Sequence, residues 1–373
     1  MAATPILQFG TSRFLQAHVD LFVSEGLKTG SALGPITVVR TTTSPESAKR
    51  IAAFDRLRSY PVHIRGLAGG AVVDACVEVS SVARGLDANT QWEAVEEVFV
   101  REAECVVSNT GERGYELHDG DGPDGPVPRS FPAKLARLLH ARYRHDRRPL
   151  ALFPTELVTG NGAVLRDTVL AVARGWRLEP GFLEWLATSC RWPSSLVDRI
   201  VSEALNPIGA VAEPYALWAV EAVPEAPPPC RHPAIVVTDD LARYERLKLF
   251  ILNLGHSFLA ERWLIDRRPA EETVREALGD ERLRADLDFL YEEEVLPVFD
   301  AIGLGPAARD YRRVVIERFL NPFLRHRLAD IAGNHEAKKQ RRFRPVFELA
   351  RRHCPGLRQP RLQAALASGA GAG

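Results

Sequence analysis

Apolar residues along the chain fall into two regimes. Up to about residue 240, short apolar runs alternate with longer periodic stretches. Pro5–Phe9, Pro35–Val39, Cys105–Val107, Pro149–Phe153 and Ala234–Val237 are each three to five residues long and close on a Gly, a Pro, a small polar residue or a charge. Runs of that length suit strands buried on both faces. The stretch Ala71–Val82 alternates as strands do, and Gln91–Glu102 has helical spacing. A strand, helix, strand succession of this kind predicts an α/β domain with a parallel sheet. The first unit predicts a strand to Phe9, a tight turn at Gly10 and a helix continuing to about Thr29. After residue 240 the strand signals stop. Thr273–Leu278, Leu283–Val295 and Tyr311–Phe319 repeat with helical period, so an all-helical domain is predicted. The expected division is 1–240 and 241–373.

One segment stands apart. Leu241–Trp263 contains no Pro and a single Gly, and reads as one helix of about six turns. From Leu247 to Leu259 it is apolar in almost every direction, as a buried helix is, yet it carries Lys248, Asn253 and His256. At 100° per residue His256 lies about 80° from Lys248 and Asn253 about 140° from it, so all three share one sector. Buried polar groups of these kinds need partners. One reading is a snorkelling lysine with two satisfied core polars. The other is a site: a desolvated lysine acting as general base, its pKa lowered from about 10.4, with an amide and an imidazole polarising a carbonyl.

Composition narrows the class. The chain has 373 residues, 46% hydrophobic and 26% charged, and Lys plus Arg equals Asp plus Glu at 48 each. A neutral balance gives no global field for nucleic acid or a membrane surface. The start is not a signal peptide, and no run of about 18 apolar residues exists to span a bilayer. Five scattered Cys without a CxxC pair suit a reducing cytoplasm rather than a disulfide framework or a zinc site. The loop Asp119–Arg129 has a D-x-D-G pattern but lacks the spacing of a calcium loop, so no metal is expected. Glu221–Pro233, with five Pro, reads as a surface loop or linker, and 367–373 as a disordered tail.

Several residues carry candidate chemistry. Phe9, Gly10, Thr11, Ser12, Arg13 and Phe14 form a strand, turn and helix start where a dinucleotide pyrophosphate would sit, although Ser12 and Leu15 stand where further glycines are usual. Arg40 closes the second strand in place of an acidic residue; it could pair with the extra phosphate of NADP, stack on adenine, or be a solvated loop residue. Ser108, Asn109 and Thr110 end the Cys105 strand where the nicotinamide end of a cofactor would lie.

Lys248, Asn253 and His256 resemble the catalytic helix of the polyol-specific long-chain dehydrogenases, the mannitol dehydrogenase family. Val107-Ser-Asn-Thr110, Ser130-Phe-Pro-Ala-Lys-Leu135, Leu196-Val-Asp-Arg-Ile200, Ala212-Glu-Pro-Tyr215 with Trp218, and Arg318-Phe-Leu-Asn-Pro-Phe323 with His326 resemble that family in the same order. The SFPAKL stretch is similar to the tagaturonate reductase (altronate oxidoreductase) branch. The resemblance implies NAD or NADP as cofactor and a metal-free hydride transfer involving a secondary alcohol of a sugar acid or polyol. It implies Lys248 as base, Asn253 in the oxyanion hole, His256 orienting substrate and Asp198 close to the reacting centre. Leu157 stands where the family often has Asn, which leaves Asn161 as the candidate second amide. His326 and Lys338 become candidate substrate contacts, and the AEPY stretch a packing motif at a strand edge. The basic run from Lys338 to Arg344 is either a solvated face or suited to an anionic substrate. A sugar-phosphate dehydrogenase of the mannitol-1-phosphate type and a non-catalytic nucleotide-binding relative are the alternatives. No nucleic-acid or membrane partner is expected, and the chain is expected to be a monomer or weak homo-oligomer.

Overall fold

The computed structural model describes residues 3–111 and 113–368. The chain divides into two units. The first holds the chain to Ile64, Ala75–Ala212 and Ala216–Leu241; the second holds Arg65–Asp74, Glu213–Tyr215 and the chain from Ala242 onward. The strands are β1 (Ile6–Phe9), β2 (Ile36–Arg40), β3 (Tyr60–Ala68), β4 (Ala71–Val79), β5 (Val82–Asp87), β6 (Cys105–Ser108), β7 (Ala151–Pro154), β8 (Ser195–Asp198), β9 (Val201–Ala204), β10 (Ala210–Ala212), β11 (Leu217–Glu221) and β12 (Ile235–Thr238).

The first unit is a Rossmann-like α/β domain. Its main sheet has the order β5-β2-β1-β6-β7 and is parallel throughout. Every residue of β1, β6 and β7 is buried. Successive side chains serve opposite faces: Leu7, Phe9 and Val106 join one core with the helices Trp92–Arg101 and Phe131–His145, while Ile6 and Val107 join another with Val19–Thr29. Two smaller sheets, β4-β3-β10-β9 and β12-β11-β8, complete the strands.

Three expectations need correction here. The helix after Gly10 is not continuous: Arg13–Gln16 is followed by a break at Ala17 and His18, then Val19–Thr29. His18 leaves helical geometry to put its ring against Phe14 and Phe22, with Nε2 on the Leu217 carbonyl at 3.1 Å. The proline-rich stretch after Glu221 is not simply a surface loop. Ala226 and Cys230 are buried, and the amides of Leu33 and Arg231 donate to Pro229 and Ser31 carbonyls at 2.8 and 3.0 Å. The tail is ordered further than expected: Ala367 ends the helix Pro360–Ala367, and Ser368 hydrogen-bonds Glu261 and Lys339. Residues 369–373 of that predicted tail lie outside the described residues.

Apart from the ends of β3 and β4 that Arg65–Asp74 contributes, the second unit is helical. Among its described residues one core gathers Leu247, Ile251, Leu254 and Phe258 with Leu287, Tyr291, Phe299, Phe319 and Phe343. Glu213, expected in a strand-edge packing motif, instead makes a buried ion pair. Arg318 donates Nε and Nη2 to its two carboxylate oxygens at 2.9 and 2.8 Å, and lies over the Tyr215 ring at 4.5 Å. All five cysteines are free thiols, and no helix of the described residues is long and apolar enough to cross a membrane.

Candidate functional site

In the first unit, strand order reverses around β1, which has β2 on one side and β6 on the other. In such sheets ligands bind outside the carboxyl ends of the strands at the switch point. Gly10 lies at that end of β1 with φ +124, and a Cβ there would stand 2.6 Å from the Asn109 carbonyl oxygen. Only glycine suits both the angle and the approach. Ser12 caps the short helix, its Oγ accepting from the Leu15 amide at 3.3 Å and donating to Asn109 Oδ1 at 3.3 Å. Asn109 in turn donates Nδ2 to Thr155 at 3.1 Å. The predicted turn and the predicted strand end are thus tied together. Arg13 is exposed and Phe14 half-buried. Thr11 is buried, its hydroxyl accepting from Arg50 Nε at 3.3 Å. The Phe9 ring lies in the core against Phe131 at 5.3 Å, and its carbonyl takes the Asn109 amide at 2.9 Å. Both are used inside the protein, so Phe9 supports the turn rather than facing a ligand.

Glu156, just beyond β7, is the organiser that the sequence reading did not select. It is buried and accepts from Ser108 Oγ (3.1 Å), Thr110 N (2.9 Å), Thr110 Oγ1 (3.0 Å) and Tyr115 OH (3.0 Å). Four donors make a buried carboxylate tolerable. The available signal was an acidic residue directly after an apolar strand.

Two candidates change role. Arg40 is neither a free anion receptor nor a solvated loop residue. Nη1 pairs with Asp87, Nε donates to Ser47 Oγ at 2.9 Å and Nη2 to the Ser44 carbonyl at 3.2 Å. An acidic side chain is therefore present at this end of the sheet, contributed by β5. Asn161 is fully buried. Its Nδ2 donates to the Pro154, Glu156 and Ser195 carbonyls at 2.9–3.1 Å and its Oδ1 accepts the Ser195 amide at 2.8 Å. An amide has two donor hydrogens, and both are engaged in fastening β7 to β8, so Asn161 is not available to an oxyanion. Asp198 closes β8 and is buried.

In the second unit the segment 248–256, which carries Lys248, Asn253 and His256, is not regular α-helix throughout. Leu241–Leu247 is α-helical, Lys248–Asn253 winds as a π-helix, and Leu254–Ile265 is α-helical again. The expected helix is present, but the wider i→i+5 winding overturns the sector angles computed at 100° per residue. π segments are rare and concentrate at functional sites. Here Lys248 opens the segment, Asn253 closes it, and His256 follows one turn later. Neighbours add donors to its carbonyls: Tyr291 OH donates to Ile251 O at 2.8 Å, which also takes the Leu254 amide, and Arg342 Nη1 to Asn253 O at 3.2 Å. Lys248 and Asn253 are half-buried rather than enclosed, whereas His256 is buried.

The His256 ring packs on Phe319 at 4.4 Å and edge-on to His326 at 4.7 Å. Burial first, then the nearby His326, Arg318, Arg342 and Lys338, hold its pKa well below the ordinary imidazole value. Burial lowers His326 as well. At neutral pH both rings are uncharged, and each has one N–H donor and one acceptor nitrogen. Lys338 is half-buried with Nζ on the Ile331 carbonyl at 2.7 Å. Lys339, one residue on, belongs elsewhere: it is buried and bonded to Glu336 at 2.7 Å and Glu261 at 3.4 Å. The basic run is therefore not one solvated face. The structure brings Asn253, His256, His326 and Lys338 into the second unit's helical cluster, and adds Arg342 and Tyr291, whose signal in sequence was no stronger than that of any other Arg or Tyr.

Comparison with known proteins gives two family matches: the mannitol dehydrogenase Rossmann domain over residues 4–229 and the mannitol dehydrogenase C-terminal domain over 240–369. An altronate oxidoreductase of Halalkalibacterium halodurans is 32% identical, covering 92% of this chain and 70% of that protein. One of Bacillus subtilis is 31% identical, covering 92% and 74%. Among solved structures, a D-sorbitol dehydrogenase in substrate-free form matches with TM-score 0.83 at 20% identity, over 98% of this chain and 79% of that one. The Pseudomonas fluorescens mannitol 2-dehydrogenase ternary complex with NAD and D-mannitol matches with TM-score 0.74, at the same identity and coverage.

Proposed function

The chain belongs to the mannitol dehydrogenase family and is an oxidoreductase acting on CH–OH, and on that premise we propose that it interconverts a secondary alcohol of a sugar acid and the corresponding ketone with NAD. The observation that carries this reading is the π segment bracketed by Lys248 and Asn253, with uncharged His256 one turn beyond. An unprotonated Lys248 Nζ takes the hydroxyl proton as the alcohol is oxidised. The Asn253 amide donates to the same oxygen as negative charge develops on it. His256 and His326 hold neighbouring hydroxyls through neutral ring nitrogens. The sequence motif puts Asp198 forward as a further member of the site, and Lys338 as a substrate contact.

The turn residues suit a dinucleotide. Gly10 leaves open the space a Cβ would fill beside Asn109, at the switch point of the sheet. Gly10, Thr11, Ser12 and Arg13 would hold the pyrophosphate, with Ser108, Asn109 and Thr110 toward the nicotinamide. NAD supplies the hydride acceptor when bound. Arg40 favours NAD over NADP here, since its guanidinium already has Asp87 as anionic partner and a second phosphate would have to compete for it.

The test follows reduced-cofactor absorbance with altronate, mannonate, mannitol and mannitol 1-phosphate, each with NAD and NADP. Turnover of an aldonate with NAD at a kcat/KM at least tenfold above that for the polyol and the phosphate is expected. Preference for mannitol 1-phosphate would replace this reading with the sugar-phosphate one, and inactivity toward every alcohol tested would remove it.

A further inference from the structure

Lys338 and Arg342 lie four residues apart on the helix His335–Arg342, and so on one face of it. Both are half-buried. Among the described residues neither has a carboxylate partner. Lys338 donates to a main-chain carbonyl, and Arg342 Nη1 donates to the Asn253 carbonyl at 3.2 Å and Ser257 Oγ at 2.7 Å. Other partly or fully buried arginines of this unit are answered by acids: Arg268 by Glu272, Arg318 by Glu213, Arg361 by Asp286. Two like charges at this spacing, partly desolvated and without counter-charge, weaken the helix that carries them. Burial lowers both pKa values, that of Arg342 to about 10, so the guanidinium still stays charged at neutral pH.

The geometry of Arg342 is more specific than its charge. One nitrogen is fixed on the residue that closes the π segment. The remaining edge, Nε and Nη2, makes no hydrogen bond among the described residues and is not sealed from solvent. A guanidinium edge with two parallel N–H groups fits a carboxylate in bidentate fashion. We propose that Arg342 is the specificity-determining residue for the carboxylate of the substrate, held in place by its bond to the Asn253 main chain and assisted by the point charge of Lys338. This rests on the sugar-acid reading and adds the group that selects the acid over the neutral polyol. It also gives the anchor a defined position beside the amide proposed to act on the reacting oxygen.

Calorimetric binding to the NADH-saturated full chain tests this without turnover, using altronate, altritol (the neutral hexitol of the same configuration) and mannitol 1-phosphate. Wild type is expected to bind altronate at least tenfold more tightly than altritol. Arg342→Gln, which keeps a donor for the Asn253 carbonyl, should weaken altronate roughly 10- to 100-fold, the loss expected for charged hydrogen bonds, and leave altritol within about threefold. Arg342→Lys should retain part of the preference, which a merely structural role would not predict. Equal losses for acid and polyol, no preference in wild type, or tighter binding of the phosphate ester would each overturn the assignment. Turnover separates the two layers. An Arg342-dependent preference without oxidation of any substrate rejects the reaction and keeps the carboxylate site; oxidation without that preference does the reverse.

Discussion

Lys248 is where residue-scale reasoning meets its most direct test. As the proposed base its removal should lower kcat by roughly 10²–10⁴-fold, the range for a positioned general base. Lys248→Ala should also lose the rise of oxidation rate with pH. Near-normal kcat in that variant, with the pH profile intact, would return Lys248 to the role of a half-buried structural lysine. A second residue-scale prediction concerns Asp20, fully buried on the helix Val19–Thr29. Tyr60 OH donates to its Oδ2 at 2.7 Å, while Oδ1 and the neighbouring Gln8 Oε1 are buried acceptors without a donor. Burial pushes this carboxyl up to about 7, against the lowering by Tyr60 and Gln8. A raised folded-state value stabilises most below the unfolded value near 3.9, and that contribution is lost as pH rises through about 7, at roughly 1.4 kcal/mol per pH unit. Asp20→Asn, a permanent mimic of the protonated form, should therefore melt above wild type at pH 8 and lose that advantage by pH 4. A Tm difference independent of pH would mean that Asp20 is ionised in the fold. Lys248 and His256 stand out in the sequence as candidates because charge and imidazole interrupt an apolar run. Arg40 and Asn161 were misread because their partners, Asp87 and Ser195, lie 47 and 34 residues away. No local pattern announces such pairings.

At the scale of the element, the helix Leu241–Trp263 was legible in its position and burial, and illegible in its winding. Periodicity assumes 100° per residue, and it carries no trace of the donors outside the segment that two of its carbonyls take. Tyr291 OH on Ile251 O is one of them, and its ring stands against Gly255. A Cβ on Gly255 would lie 2.0 Å from the Tyr291 hydroxyl and 3.1 Å from Phe319, so the glycine is required for approach and not for backbone angle. Gly255→Ala should destabilise by about 1–3 kcal/mol or more through overpacking. Tyr291→Phe should cost about 0.5–1.5 kcal/mol, because Ile251 O loses that donor and keeps only the Leu254 amide. Combined, they should cost less than their sum, since removing the hydroxyl clears the space the methyl needs. Strict additivity in denaturant melts would show that the two positions do not share this contact. Both single variants should also lower kcat, because Lys248 and Asn253 are the ends of the segment that Tyr291 supports.

For the whole molecule, neutral net charge and the change from α/β to all-helical patterning were legible, and so was the family. The assignments of Arg65–Asp74 and Glu213–Tyr215 to the second unit were not, because they depend on contacts such as Glu213 with Arg318 across 105 residues. The division of labour that follows is itself testable. The residues proposed for the cofactor, from Gly10 to Arg13 and from Ser108 to Thr110, belong to the first unit, and the proposed base to the second. Lys248→Ala should then bind NADH with a Kd within about threefold of wild type. Saturation at a hundred times Kd should stabilise both proteins by about 2.7 kcal/mol, as mass action requires of a ligand that binds only the folded state. Gly10→Ala should do the opposite. The added methyl meets the Asn109 carbonyl at 2.6 Å in a backbone conformation that suits glycine, so NADH affinity should fall at least tenfold while any residual turnover keeps the wild-type pH profile. Fluorescence titration of NADH reads both variants. Loss of NADH binding in Lys248→Ala, or full binding in Gly10→Ala, would mean that nucleotide recognition does not reside in the turn after β1.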